Sequence, residues 1–228
     1  MVVPADKARL ALRLVEFNLH PVRFAHPSWY DRNSIPHAFG DLIAECHGQG
    51  GIRFESQVSD WLRQELNLQE CMDWEMSEPQ KRLWLLDRSS LERLAQELAL
   101  AMHREWLVQV IDAVQLRGLQ AKVDARALSF VIEEVPHGSF HYQSPIVCFA
   151  SDSAAVLGAK LQADGARTLM ALLQPSWRAV RARAQLFFER TKRLDDVQSF
   201  TAAYCDRALE LICGRLIPRR FSEWAWCF

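Results

Sequence analysis

The stretch Ser89-Ser-Leu-Glu-Arg-Leu-Ala-Gln-Glu-Leu-Ala-Leu-Ala-Met-His-Arg-Glu-Trp-Leu-Val-Gln-Val110 reads as an amphipathic helix. Ser89 and Glu92 have capping-box spacing, in which each side chain satisfies a free backbone N–H near the other. Leu91, Leu94, Leu98, Met102, Trp106 and Val110 recur at three- and four-residue steps and so share one face. The reading predicts a helix from Ser89 to about Val114. Working outward, a second helix is predicted from an N-cap at Asp124, with Leu128, Val131 and Val135 inward, stopped by Pro136 and Gly138. A third follows Ser153, with Leu157, Leu161, Leu169 and Leu172 on its face, and ends before Pro175. A fourth runs from Pro175-Ser176 to about Lys192. A fifth starts after Asp195, carries Val197, Phe200, Tyr204, Leu211 and Ile212, and ends at Pro218. Shorter helices are expected at 40–47, 56–68 and 79–87.

Strand signals are few. Residues 144–150 form one short apolar run. Leu10, Leu12 and Leu14 alternate but equally fit a helix, and Trp224, Trp226 and Phe228 alternate at the end of the sequence. The fold expected is all-α or predominantly α, an irregular multi-helix domain with at most a minor β element. The 228 residues suit one domain, or two lobes divided near 136–145, where Pro136, Gly138 and Pro145 cluster. A compact domain of this size buries roughly 70–75% of the surface its unfolded chain exposes. The Gly48-Gln-Gly-Gly51 stretch reads as a loop.

Composition narrows the function. Half of the residues are hydrophobic and 24% are charged, which excludes disorder over the whole chain. The net charge of −1 gives no support to nucleic-acid binding, which rests on a basic excess. No secretory signal and no 18-residue apolar run is visible, so neither export nor direct membrane insertion is expected. Cysteines at 46, 71, 148, 205, 213 and 227 form no Cys-x-x-Cys pair and read as reduced cytosolic thiols. Charge is uneven. Residues 41–78 hold nine acids and two bases, whereas 175–193 hold six bases and one acid. These segments either pair with each other or one of them meets a partner.

Catalytic motifs are absent: no phosphate loop, no dinucleotide fingerprint, no nucleophile elbow and no His-Glu-x-x-His. His103-Arg-Glu105 matches half of a zinc-deaminase signature without the required Pro-Cys-x-x-Cys. His137, His141 and Cys148 are the one metal-like group, but they straddle Gly138 without a second Cys pair, so no metal or cofactor is expected. His103 within an apolar helix reads as a hydrogen-bonded core histidine. Trp61, Trp84 and Trp106 fall at core spacing. Trp29, Trp177, Trp224 and Trp226 lie near predicted ends or loops and are interface candidates.

Three ordered segments carry a resemblance. Leu19, Pro21, Phe24, Ala25, His26 and Pro27 match an N-terminal pattern of apolar-x-Pro-x-x-aromatic-apolar-His-Pro. The run into His103 resembles a central helix in which a short apolar stretch leads to a His. Ile212-Cys213-Gly-Arg-Leu216 is similar to an apolar-Cys-x-basic-Leu segment near the C-terminus. Together they resemble the K-type sorting-platform proteins of bacterial type III secretion, the SctK, YscK, PscK and OrgA family. The chain departs from shorter members by extra residues around 31–75. The resemblance implies a helical, non-enzymatic adaptor in the cytoplasm, peripheral to the inner membrane through the injectisome base. Its implied partners are the cytosolic domain of the D-type inner-membrane-ring protein and the Q-type protein of each pod, and indirectly the L-type stalk protein and the ATPase. Arg178 and Arg181, which share a side of the predicted basic helix, and Trp224, Trp226 and Phe228 are the candidate contact residues. Two other classes remain open. One is a cytosolic chaperone or regulator that would bind nucleic acid through the basic helix at 178–193; the other is a helical enzyme with a cryptic His site.

Overall fold

The computed structural model describes residues 4–30, 51–109, 120, 123–138, 140, 154–189 and 200–228. Every regular element among them is helical and none is a strand. In chain order they are α1 (Pro4–Leu19), α2 (Gly51–Glu65), α3 (Pro79–Arg82), α4 (Arg88–Met102), α5 (Arg104–Gln109), α6 (Ala125–Glu134), α7 (Ala154–Ala171), α8 (Arg178–Ala184), α9 (Ala202–Leu211) and α10 (Ile217–Arg220), with short 3-10 turns between several of them. The predicted segments at 40–47 and 144–150, the loop at 48–50, and residues 110–114 and 190–197 lie outside the described residues. Cys71, Cys205, Cys213 and Cys227 are free thiols.

The chain divides into two compact units. The first holds Met1–Ser89, Leu173–Val197 and Trp226–Phe228; the second holds Ser90–Leu172 and Gln198–Ala225.

In the first unit, Leu10, Leu12 and Leu14 all lie on α1, so their alternation is helical. The His-Pro segment folds as two 3-10 turns, Pro21–Arg23 and Pro27–Trp29, each with proline in its first turn, where the missing N–H costs nothing. His26 before Pro27 is extended, with ψ 140°, and its Nδ1 accepts from the Ser28 N–H. Val22, Ala25 and Trp29 pack with Val58, Leu62, Leu68 and Leu186. Beside them, Phe24 meets Phe17 and Phe187 edge-on with both centroid distances 5.6 Å, and Trp84 lies 5.9 Å from Phe187.

The basic helix is much shorter than predicted. Pro175 and Ser176 form a turn, α8 covers Arg178–Ala184, and a 3-10 turn, Gln185–Phe187, follows. The reason is tertiary. The Leu186 carbonyl accepts the His26 N–H at 2.6 Å and the Phe188 carbonyl accepts Trp29 Nε1–H at 2.8 Å, while Leu186 and Phe187 turn into the core. Carbonyls used this way do not serve a continuing helix.

In the second unit, α4 is the central element. Its predicted face is buried at Leu91, Leu94, Leu98 and Met102, but residues 97–104 are all buried, so this part of the chain is enclosed on every side. The helix starts at Arg88, one residue before the predicted cap, and Ser89 Oγ donates to Asp87. It is interrupted at His103, although the His103 N–H still bonds the Ala99 carbonyl. A Cβ on Gly165 of α7 would lie 1.8 Å from the Ala95 carbonyl oxygen, so only glycine permits this crossing of α4 and α7. Asp124 caps α6 by accepting the Arg126 N–H, and its other oxygen accepts from Arg220. Arg220 also grips the buried Glu97 with two 3.0 Å bonds.

Pro218 does not end the last helix as predicted. After Thr201 caps α9, the chain widens into a π turn, Ile212–Leu216, and Pro218 enters the first turn of α10. In a regular α-helix the proline ring would strike the carbonyl four residues earlier, here that of Gly214; the wider turn relieves it. The final Trp-x-Trp alternation is not a strand edge either. Residues Ser222–Cys227 are a 3-10 helix, where residues two apart point to different sides.

Candidate protein-binding site

A helix-free strap at 71–78 connects the 3-10 turn Leu68–Glu70 to α3 in the first unit. Asn67, at φ 51°, breaks α2 by adopting the left-handed conformation that Asn tolerates. The strap is fixed from its inner side. Asn18, wholly buried, donates Nδ2–H to the Asp73 carbonyl at 2.8 Å and accepts the Asp73 N–H at 3.1 Å. Lys81 Nζ pairs with Asp73 at 3.2 Å. Met76 is buried, and Arg82 donates to the carbonyls of Met76, Ser77 and Cys227. With Asp73 and Met76 turned in, Met72 (37% exposed) and Trp74 (50%) face solvent.

Beside the strap lies a shallow cleft of about 430 Å³ between Cys71–Asp73 and Ser176–Ala179, with Glu70, Lys81 and Arg178 on its walls. Lys81 bridges the walls, its ammonium 5.7 Å from the Trp177 ring centroid. The exposed Arg178 guanidinium makes no hydrogen bond or ion pair among the described residues.

The structure separates the other candidate contact residues. Arg181 is half-buried and donates to the Leu173 carbonyl at 3.0 Å. Arg183 on the same helix is buried and bonded to backbone carbonyls. The described part of the basic segment therefore offers Arg178 alone as an open guanidinium, and its arginines do not pair with the acidic segment's carboxylates. Trp224 is buried and donates to Ser90 Oγ at 3.0 Å. Trp226 is half-buried beneath the Arg9 guanidinium, and Phe228 is half-buried. Trp29 and Trp177, also interface candidates by sequence, are buried. Among the motif residues, Pro21, Phe24, His103 and Leu216 are buried; Leu19, His26 and Cys213 are half-buried; Pro27 is exposed. Trp74 and Met72 escaped sequence reasoning. The available signal was an aromatic and a Met in an acidic stretch without helical period.

His103 belongs to a closed polar group in the second unit. Its Nε2 lies 2.9 Å from Asp164 Oδ2, with side-chain exposures of 0% and 6%, and Arg167 pairs with the same carboxylate. Burial pushes the Asp164 carboxyl up, but the His103 hydrogen bond and the Arg167 charge together outweigh it and hold the group below the usual carboxylate range. A depressed carboxyl contributes stability above its unfolded pKa, near 3.9, that is lost as pH falls through the folded value. Asp164→Asn should therefore flatten the acid limb of the melting temperature below about pH 4. Parallel profiles for wild type and variant would refute this. His137 is exposed and faces Arg104 Nη1 at 2.6 Å and Glu105 at 3.3 Å. His141 and Cys148 lie outside the described residues, among which no group of three or more His, Cys, Asp or Glu could hold a metal. No helix among them is long and apolar enough to cross a membrane.

No curated protein and no solved structure matches the chain. A scan of protein families matches YOP proteins translocation protein K (YscK) over residues 10–137, more than half of the 228 residues, covering α1 from Leu10 onward, the His-Pro segment, the strap and α4. The chain belongs to the YscK family of type III secretion proteins.

Proposed function

We propose that this protein is a non-enzymatic cytoplasmic adaptor of the injectisome, linking the D-type inner-membrane-ring protein to the Q-type protein of the sorting-platform pod, and through it to the L-type stalk protein and the ATPase. Family membership carries the reading. Two features of the molecule support it. The His103–Asp164 pair is enclosed by the core and does not line the cleft beside the strap, which suits a structural role. The strap that carries the largest exposed apolar side chain, Trp74, is held from beneath at the neighbouring Asp73, as a contact surface should be.

Purified full-length protein should bind both the D-type cytosolic domain and the Q-type protein in size-exclusion chromatography. Failure to bind either would overturn the proposal. Arg178→Glu should leave stability within about 0.5 kcal/mol, as for other open surface positions. It should also slow association and reduce its salt dependence. Unchanged binding would remove Arg178 from the interface. Arg181 is unsuitable for this test because its guanidinium holds the Leu173 carbonyl.

A further inference from the structure

We propose that the outer face of the 71–78 strap docks a basic, amphipathic segment of a partner protein, with Trp74 and Met72 as apolar anchors and Glu70 and Glu75 as the pairing charges. This deepens the adaptor reading and rests on it for the identity of the protein that carries the segment.

Apolar exposure and charge coincide here. Trp74 is 50% exposed and Met72 37% exposed, on a strap whose neighbouring large apolar residues, Leu68 and Met76, are buried. Tryptophan is the residue type most enriched among energetic anchors of interfaces, and the flexible methionine adapts to an irregular partner surface. Glu70 and Glu75 are exposed, and neither makes an ion pair among the described residues. The nearby cations are mostly engaged. Lys81 pairs with Asp73 and Glu78, and Arg82 donates to three backbone carbonyls. Arg178, across the cleft, is the open positive group, placed to take a carboxylate at one end of the segment and so fix its direction.

Charge complementarity selects the occupant. Two open carboxylates flanking two apolar anchors fit Lys or Arg residues flanking an apolar ridge. The same carboxylates repel nucleic acid and anionic lipid. They also disfavour a second copy of this face, because a two-fold contact would set acid against acid. The strap is organised before binding. The two Asn18–Asp73 bonds and the buried Met76 fix its path, so little conformational freedom remains to be lost on docking.

The test uses full-length protein and two designed 16-residue helical peptides. Both carry Leu and Phe on one face; the other face is Lys and Arg in one peptide and Glu in the other. Fluorescence anisotropy of the labelled peptides reads binding. The basic peptide should bind and the acidic one should not. Trp74→Ala, and separately Glu70→Lys with Glu75→Lys, should each weaken the basic peptide about tenfold or more with unchanged melting temperatures. Raising salt from about 50 to about 300 mM should weaken wild type more than the Lys variant. Equal binding of the two peptides, no binding of the basic one, or variants that bind like wild type would overturn the proposal. So would loss of a dimer in Trp74→Ala by analytical ultracentrifugation, which would give the face to a second copy. It would also fall if neutralising Arg190, Lys192 and Arg193 raised hydrogen exchange at 70–78, which would give the face to the chain's own basic residues. The peptide assay decides the face; binding to the ring and pod proteins decides the adaptor role.

Discussion

Arg183→Met is expected to cost about 3–5 kcal/mol, the range for breaking a buried charged network. Arg183 is 1% exposed. It donates to the carbonyls of Phe17 (3.1 Å), Leu68 (3.0 Å), Asn18 (3.4 Å) and Ala179 (3.4 Å), and also to Cys71. Phe17 and Asn18 lie in the last turn of α1, whose final carbonyls have no partner within the helix, so Arg183 caps that helix with a cation at its negative end. Burial lowers the Arg183 pKa to about 10, so it remains charged at neutral pH. Methionine fills much of the volume but leaves the carbonyls dry, each costing about 1–3 kcal/mol, partly offset by no longer burying a charge. Lysine should recover little, because one ammonium cannot span carbonyls arranged around a planar fork. Urea unfolding of the three proteins checks this. A Met variant within about 1 kcal/mol of wild type would show that the network contributes little.

Phe24→Ala should cost a similar amount, about 3–5 kcal/mol. The ring is 2% exposed, meets Phe17 and Phe187 edge-on, and has the Arg13 guanidinium 5.1 Å from its centroid. Removing it opens a cavity among rings that cannot close in, because the Pro21–Arg23 and Pro27–Trp29 turns hold the backbone on either side. Phe24→Leu should lose clearly less, since it retains most of the buried area. An Ala variant with an undiminished melting temperature would count against a core role.

The sequence by itself determined the helical class of the fold and several helix ends. The three- and four-residue spacing from Leu91 to Met102, the Asp124 cap and the stop before Pro175 all recur in the structure. These are local effects. A cap or a periodic face is decided by residues within a turn or two of each other, so the information lies within a short window. The resemblance carried by Leu19–Pro27, the run into His103 and Ile212–Leu216 was legible for the same reason, as ordered short motifs.

What tertiary structure decided was the role of each charged and aromatic side chain. Arg178, Arg181 and Arg183 are alike in sequence, yet one is open, one holds a neighbouring carbonyl and one is sealed in the core. Apart from Ala179, the partners of Arg183 lie 112 to 166 residues away. Trp224 looked free and is buried, while Trp74 stands out because Asn18, 55 residues earlier, turns Asp73 inward. Pro218 continues a helix because the preceding turn widens. Burial of a polar group is favourable only when a partner from elsewhere meets it, and that partner is supplied by chain folding, beyond the reach of any local pattern.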